Sequence, residues 1–223
     1  MMLKLMTGML LIGVVALSAV ACGNQSNNGQ TPASAAAGPV ADAAAVSRPS
    51  AYEEQYRTSV FLGDSITEGL SYHDVLNEVN VLAGAGKTAE FALKDVAELV
   101  RRKPARLFIQ LGSDDILWPT DDPKKYSLTH YAQLIDSIQT KLPKAKLTLL
   151  SVTPVTADTE QAEPRYRNIA DYNEGLRELA ARKQVGYVDL TPLAAEHSEL
   201  YDKDGIHFQA AFYPHLLDYL KDH

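Results

Sequence analysis

The chain has 223 residues and a mass of 24.4 kDa, room for one ordinary domain with attachments, and 46% apolar with 22% charged side chains is globular rather than disordered or fibrous composition. Its 21 basic against 28 acidic side chains give a formal charge of -7, and without a basic run to offset it nucleic acid is excluded as a natural partner. The single cysteine, Cys22, excludes an intramolecular disulfide and a cysteine-based zinc cluster.

Residues 1–21 carry one early positive charge, Lys4, followed by an apolar stretch from Leu5 through Val20, the pattern of an export signal cut after Ala21. The residues alone also fit an ordinary secretory signal or an uncleaved anchor. Ala19-Val20-Ala21-Cys22, however, resembles the lipobox of bacterial lipoproteins. That resemblance implies that Cys22 is diacylated, palmitate-like chains included, and becomes the mature N-terminus. Loss of Lys4 takes the basic count from 21 to 20 against 28 acidic groups, leaving -8. Anionic lipid would repel such a chain, so the anchor rather than surface charge is expected to hold it at the membrane. From Gly23 to about Ser50 the only large apolar residues are Val40 and Val46, too few to offset chain entropy, and the segment reads as a tether. The expected organisation is a signal over 1–21, a lipidated cysteine and tether over 22–52, and a folded head over 53–223, outside the cytoplasm.

From Thr58 onward, short apolar runs bounded by turn residues alternate with stretches of helical periodicity, the pattern of a parallel sheet covered by helices. The spacing predicts five strands, at Thr58–Leu62, Glu78–Ala83, Arg106–Leu111, Lys146–Val152 and Gly186–Leu190. Between them Phe91, Leu93, Val96, Leu99 and Val100 share one helical face. Tyr131, Leu134, Ile135, Ile138 and Leu142 share another, and Ile169, Tyr172, Leu176 and Leu179 a third; all are assigned to core packing.

In such an α/β sheet the loops leaving the strands' carboxyl ends converge on one rim, where ligand chemistry is expected. Gly63-Asp64-Ser65 places a hydroxyl at a strand-to-helix turn, where unpaired amides and the positive end of the helix dipole favour developing negative charge. Serine needs an adjacent base, usually a histidine oriented by a carboxylate. Asp204 and His207, three residues apart after the last strand, supply such a pair, whereas His73, His130, His197, His215 and His223 lie in helical or terminal stretches. Gly84-Ala85-Gly86-Lys87-Thr88 ends like a phosphate-binding loop, but Val81 stands where its first glycine belongs, so no nucleotide is expected. Asp114, Asp115, Asp121 and Asp122 could in principle gather a divalent cation; turn formation and helix capping around Pro119 and Pro123 is the preferred role, and no metal is assigned.

Taken together, the blocks resemble the SGNH, or GDSL, hydrolase family over essentially the whole head from Thr58 to Leu220. The resemblance implies Ser65 as nucleophile and oxyanion donor, Gly86 as a second backbone donor, His207 as general base and Asp204 as its orienting partner. It further implies a flavodoxin-like three-layer α/β/α sandwich with a mainly parallel five-stranded sheet, ester hydrolysis and no cofactor. One block departs: the family's Gly-x-Asn-Asp reads Gly112-Ser113-Asp114-Asp115, with a carboxylate where an amide donates to the oxyanion. An ionised carboxylate can only accept. Three resolutions are open: Asp114 is protonated and donates, Ser113 or a backbone amide replaces it, or the site is impaired and Asp114 caps a helix beginning near Ile116. Ser113 and Trp118 are further candidates for substrate contact, Trp118 as an aromatic wall for a sugar. The Thr156–Pro164 loop is either a gate or a long connection. The expected activity is hydrolysis of short acyl esters on extracytoplasmic glycans or lipids; the rival is a noncatalytic surface lipoprotein binding a glycan or ester in the same cleft.

Overall fold

The computed structural model describes residues 50–223, so the signal, Cys22 and the tether through residue 49 lie outside the described residues. Strands β1 (Ser59–Gly63), β2 (Val81–Ala83), β3 (Arg106–Gln110), β4 (Lys146–Leu150) and β5 (Gly186–Val188) form one sheet in the order β2-β1-β3-β4-β5, with every neighbouring pair parallel. This is the flavodoxin-like order.

Alternation along each strand divides the apolar residues between two cores. Val60, Leu62, Leu107, Ile109, Leu147 and Leu149 face one, while Phe61, Phe108, Leu150 and Val188 face the other. The first core is covered by α3 (Ala89–Ala92), α4 (Val96–Arg102), α5 (Pro123–Lys141) and α7 (Ile169–Lys183). The second is covered by α2 (Ser65–Tyr72), α8 (Thr191–Glu196) and α9 (Phe212–Leu220), with Tyr52 and Tyr56 at α1 (Ala51–Gln55) closing its edge. A short helix, α6 (Ala157–Ala162), lies in the connection after β4. Phe61 and Phe108 stack across β1 and β3 with centroids 4.9 Å apart, which ties the second core to the centre of the sheet.

The structure departs from the expected elements where side-chain hydrogen bonds override the apolar pattern. Glu78–Asn80 is a 3-10 turn instead of the start of β2, because buried Asn80 donates to the carbonyls of Tyr56 and Ser59. β4 ends at Leu150, and the Val152 backbone pairs instead with the Asn173 side chain, at 2.9 Å through both its N–H and its C=O. The stripe around Phe91 is split between α3, a 3-10 turn at Leu93–Asp95 and α4, so Ala89 and Ala92 are buried and Phe91 is 39% exposed. Ser50 caps α1 through a hydrogen bond from the Glu53 amide, so the structured head starts inside the segment expected as tether.

The chain leaves β1 for the second face and β3 for the first. Between those two strands the connections diverge, opening a crevice at their carboxyl ends.

Candidate active site

Gly63 pairs with Ala83 on one side and Gln110 on the other, so the loops after β2, β1 and β3 emerge side by side. Asp64 then caps α2, its Oδ1 accepting from the Ile66 amide at 3.0 Å. Ser65 is the first helical residue, half-buried, with its own N–H among the amides that a helix leaves unpaired at its start.

The histidine arrives from a different part of the chain. Tyr201 and Phe208 form an antiparallel bridge, and within it Asp202 N donates to His207 O and Gly205 N to Asp202 O, closing a tight turn. Gly205 has φ +68°, and a Cβ there would strike the hydroxyls of Thr156 and Thr159. Asp204 Oδ1 accepts from the amides of Ile206 and His207, each at 2.9 Å, and Oδ2 accepts from His207 Nδ1 at 2.6 Å. The other ring nitrogen, Nε2, lies 2.8 Å from Ser65 Oγ. Burial pushes the Asp204 carboxyl up, but the hydrogen bonds from the His207 ring and the two amides outweigh it and hold the group below its ordinary value. An ionised Asp204 on Nδ1–H leaves Nε2 as an acceptor, able to draw the hydroxyl proton.

The segment from Thr156 to Pro164 supports this turn. Thr156 N donates to Gly205 O at 2.9 Å, and Thr159 Oγ1 donates to Asp204 O at 2.7 Å. Nothing in the spacing of the two threonines announces that role, since it depends on a contact 45 residues away in sequence.

Residues 61–214 match the GDSL-like lipase/acylhydrolase family. The chain belongs to that family. Its members are ester-bond hydrolases, and so is this chain. No curated protein sequence matches it. Among solved structures, a GDSL-like lipase from Bacteroides thetaiotaomicron is similar at TM-score 0.61 and 19% identity, covering 76% of this chain and 88% of its own. An acetylxylan esterase from Geobacillus stearothermophilus is similar at TM-score 0.53 and 19% identity, over 72% and 90% of the two chains. A carbohydrate esterase of family 3 from Talaromyces cellulolyticus follows at TM-score 0.57 and 13% identity, over 74% and 94%.

In this GDSL-family head the remaining expected residues are placed unevenly. Gly86, at φ +73°, lies in the exposed turn after β2, beside the loop that carries Ser65. Ser113 is only 7% exposed and its hydroxyl donates to Asp64 Oδ2 at 2.7 Å. Its one hydroxyl hydrogen is therefore engaged inside the protein. Trp118 packs edge-on against Phe91 at 5.5 Å, and it is not among the residues lining the cavity beside Ser65.

Asp114 precedes the 3-10 turn at Asp115–Leu117 without capping it through its side chain, which removes the capping explanation. Its Oδ2 is buried without a hydrogen-bond partner among the described residues. Burial pushes its pKa up, opposed by the charge of His207, an interaction that sets Asp114 within electrostatic reach of the Ser65 partner. Gly112 makes this loop possible: at φ +137°, a Cβ would strike the Tyr172 ring and Val152.

Asp115, 2% exposed, accepts from Ala89 N and, at 2.6 Å, from Ser127 Oγ, clamping α3 and α5 to the third block. Burial pushes its carboxyl up to about 6. Asp122 caps α5 through the Lys125 amide, with Pro123 in the first turn, as expected.

Asp64 is the acid that sequence reasoning passed over. It is 1% exposed, and burial pushes it up to about 7 against the opposing hydrogen bond from Ser113. An unfolded aspartate titrates near ~4, so the folded chain binds the extra proton between the two values, and stability falls as pH rises from about 4 to about 7. Asp64→Asn keeps an acceptor for Ile66 N and a polar contact for Ser113. Thermal denaturation across pH should therefore show the variant gaining on the wild type as pH rises, by on the order of 10 °C once the wild-type carboxyl is ionised. A difference that stays constant with pH would contradict this.

Proposed function

We propose that the chain is a serine esterase acting on short acyl esters of extracytoplasmic glycans or lipids, with Ser65 as nucleophile, His207 as general base and Asp204 as its orienting partner. Ser65 Oγ attacks the ester carbonyl while His207 Nε2 takes its proton. The oxyanion is met by the amides of Ser65 and Gly86 and by Asp114 acting as a neutral acid. His207 then protonates the leaving alcohol, and water, deprotonated by the same imidazole, releases the acyl group. Neither a metal nor an organic cofactor has a step in this sequence.

The observation that carries the reading is the unbroken chain from Asp204 Oδ2 through the His207 ring to Ser65 Oγ, at 2.6 and 2.8 Å. The partnerless buried oxygen of Asp114 supports the neutral-acid assignment, because a protonated carboxyl there has a free O–H to offer. Acetylxylan and carbohydrate esterases among the structural relatives support small acyl groups on sugars as the substrate class. Hydrolysis of 4-nitrophenyl acetate by the detergent-solubilised chain, compared with Ser65→Ala, tests the assignment.

The same proposal places the head outside the cytoplasm on a lipid anchor at Cys22, supported by the apolar run after Lys4 and by Ala19-Val20-Ala21-Cys22. Cys22→Ser should abolish incorporation of labelled palmitate in a bacterial host and shift the protein out of the membrane fraction or leave it unprocessed. Unchanged labelling and partition would contradict the anchor.

A further inference from the structure

Beside Ser65 and His207 lies a cavity of about 230 Å³, open to solvent, whose other lining residues include Glu68, Tyr72, His73, Asp202, Phe208 and Tyr213. Neither Gly86 nor Asp114 borders it. In the proposed acyl transfer the carbonyl oxygen turns toward those two residues, whereas the leaving oxygen must come within reach of His207 Nε2 to be protonated. The alcohol part of the ester therefore departs on the His207 side, where this cavity is.

The lining states what that alcohol is. Tyr72, the last residue of α2, is 80% exposed, the largest exposure of any large apolar side chain among the described residues, and the ring of His73 stands edge-on to it at 5.0 Å. An aromatic ring left this open beside a reactive centre offers a flat apolar face to a ligand. Glu68 and Asp202 add carboxylates, which when ionised accept hydrogen bonds and donate none. No Lys or Arg lines the cavity. A flat aromatic face with acceptors at its rim fits a hydroxyl-rich ring, which has C–H faces and O–H edges. Two carboxylates without a cation oppose an anionic ligand, the more so in a chain of charge -7. The volume lies below the ~300 to 1,000 Å³ typical of pockets for drug-sized ligands, enough for one ring and too small to enclose a lipid chain.

We propose that this cavity is the leaving-group subsite, that it seats an uncharged or cationic sugar ring with Tyr72 as its stacking platform, and that Glu68 and Asp202 discriminate against acidic sugars. This rests on the esterase reading above and chooses glycan over lipid within it. The test uses the detergent-solubilised full chain and three acetate esters that share an acyl group: ethyl acetate, acetylated methyl xyloside and the acetylated methyl glycoside of galacturonic acid with its carboxylate free.

For Tyr72→Ala, the ratio of kcat/KM on the xyloside to that on ethyl acetate should fall by ~2- to 10-fold, chiefly through KM, the size of effect one lost stacking contact produces. For the double variant Glu68→Gln/Asp202→Asn, the ratio of xyloside to galacturonate should fall by a similar factor. Ratios unchanged in both variants, or wild-type hydrolysis of ethyl acetate without hydrolysis of the xyloside, would overturn the subsite while leaving the esterase reading intact. Hydrolysis of none of the three esters by the wild type would overturn the esterase reading and the subsite with it.

Discussion

Ser65→Ala lowers kcat/KM on a short acyl ester by on the order of 10⁶-fold, and His207→Ala costs nearly as much, because nucleophile and base act as a unit. The loss is that large because, among the described residues, Ser65 supplies the hydroxyl that meets the base, while Ser113 is already engaged with Asp64. The double variant should be scarcely worse than either single one. Asp204→Ala is milder, since Ser65 and the His207 ring remain present but the ring loses its 2.6 Å anchor. Rate measurements on folded variants, with circular dichroism to confirm the fold, decide this. Losses that multiply between Ser65→Ala and His207→Ala would mean that the two residues act independently, contrary to the hydrogen bond between them.

Asp114→Asn is the second large effect, and its direction is unusual, because replacing this site residue should raise activity. A carboxyl donates to an oxyanion only while it holds its proton. Burial pushes Asp114 above the ordinary carboxylate value, so the donor is intact at low pH and is lost as pH rises through that raised value. Asparagine donates at every pH. Since one oxyanion donor is worth about 10²- to 10³-fold, the variant should exceed the wild type by on the order of 10- to 100-fold once pH has passed above that raised value. The advantage should shrink as pH falls back through that value. A folded Asp114→Asn protein that loses activity at every pH would contradict the neutral-acid assignment.

The parallel sheet and its five strands were legible because each strand is a short apolar run bounded by turn residues, buried on both faces at the centre of the sheet, as Val60-Phe61-Leu62 shows. The pairing of Ser65 with His207 was legible only through the motifs: the two lie 142 residues apart, and no periodicity links them. Less visible were features created by side-chain hydrogen bonds across long separations. Asn80 delaying the start of a strand, Ser113 turning inward to Asp64 and Thr159 holding the Asp204 turn each depend on a partner that only folding supplies. The edge-on packing of the Trp118 ring against Phe91 is likewise a contact that only the fold reveals. Tyr72 was passed over because it ends a helix whose apolar residues, Ile66 and Leu70, turn to the core, and only its exposure in the folded head sets it apart.

The most direct test is covalent. A fluorophosphonate added to the solubilised chain, followed by peptide mass spectrometry, should modify Ser65 and no other serine, with labelling abolished in Ser65→Ala and sharply slowed in His207→Ala. An unmodified Ser65, or labelling at the same rate without the imidazole, would show that the hydrogen bond between them activates nothing.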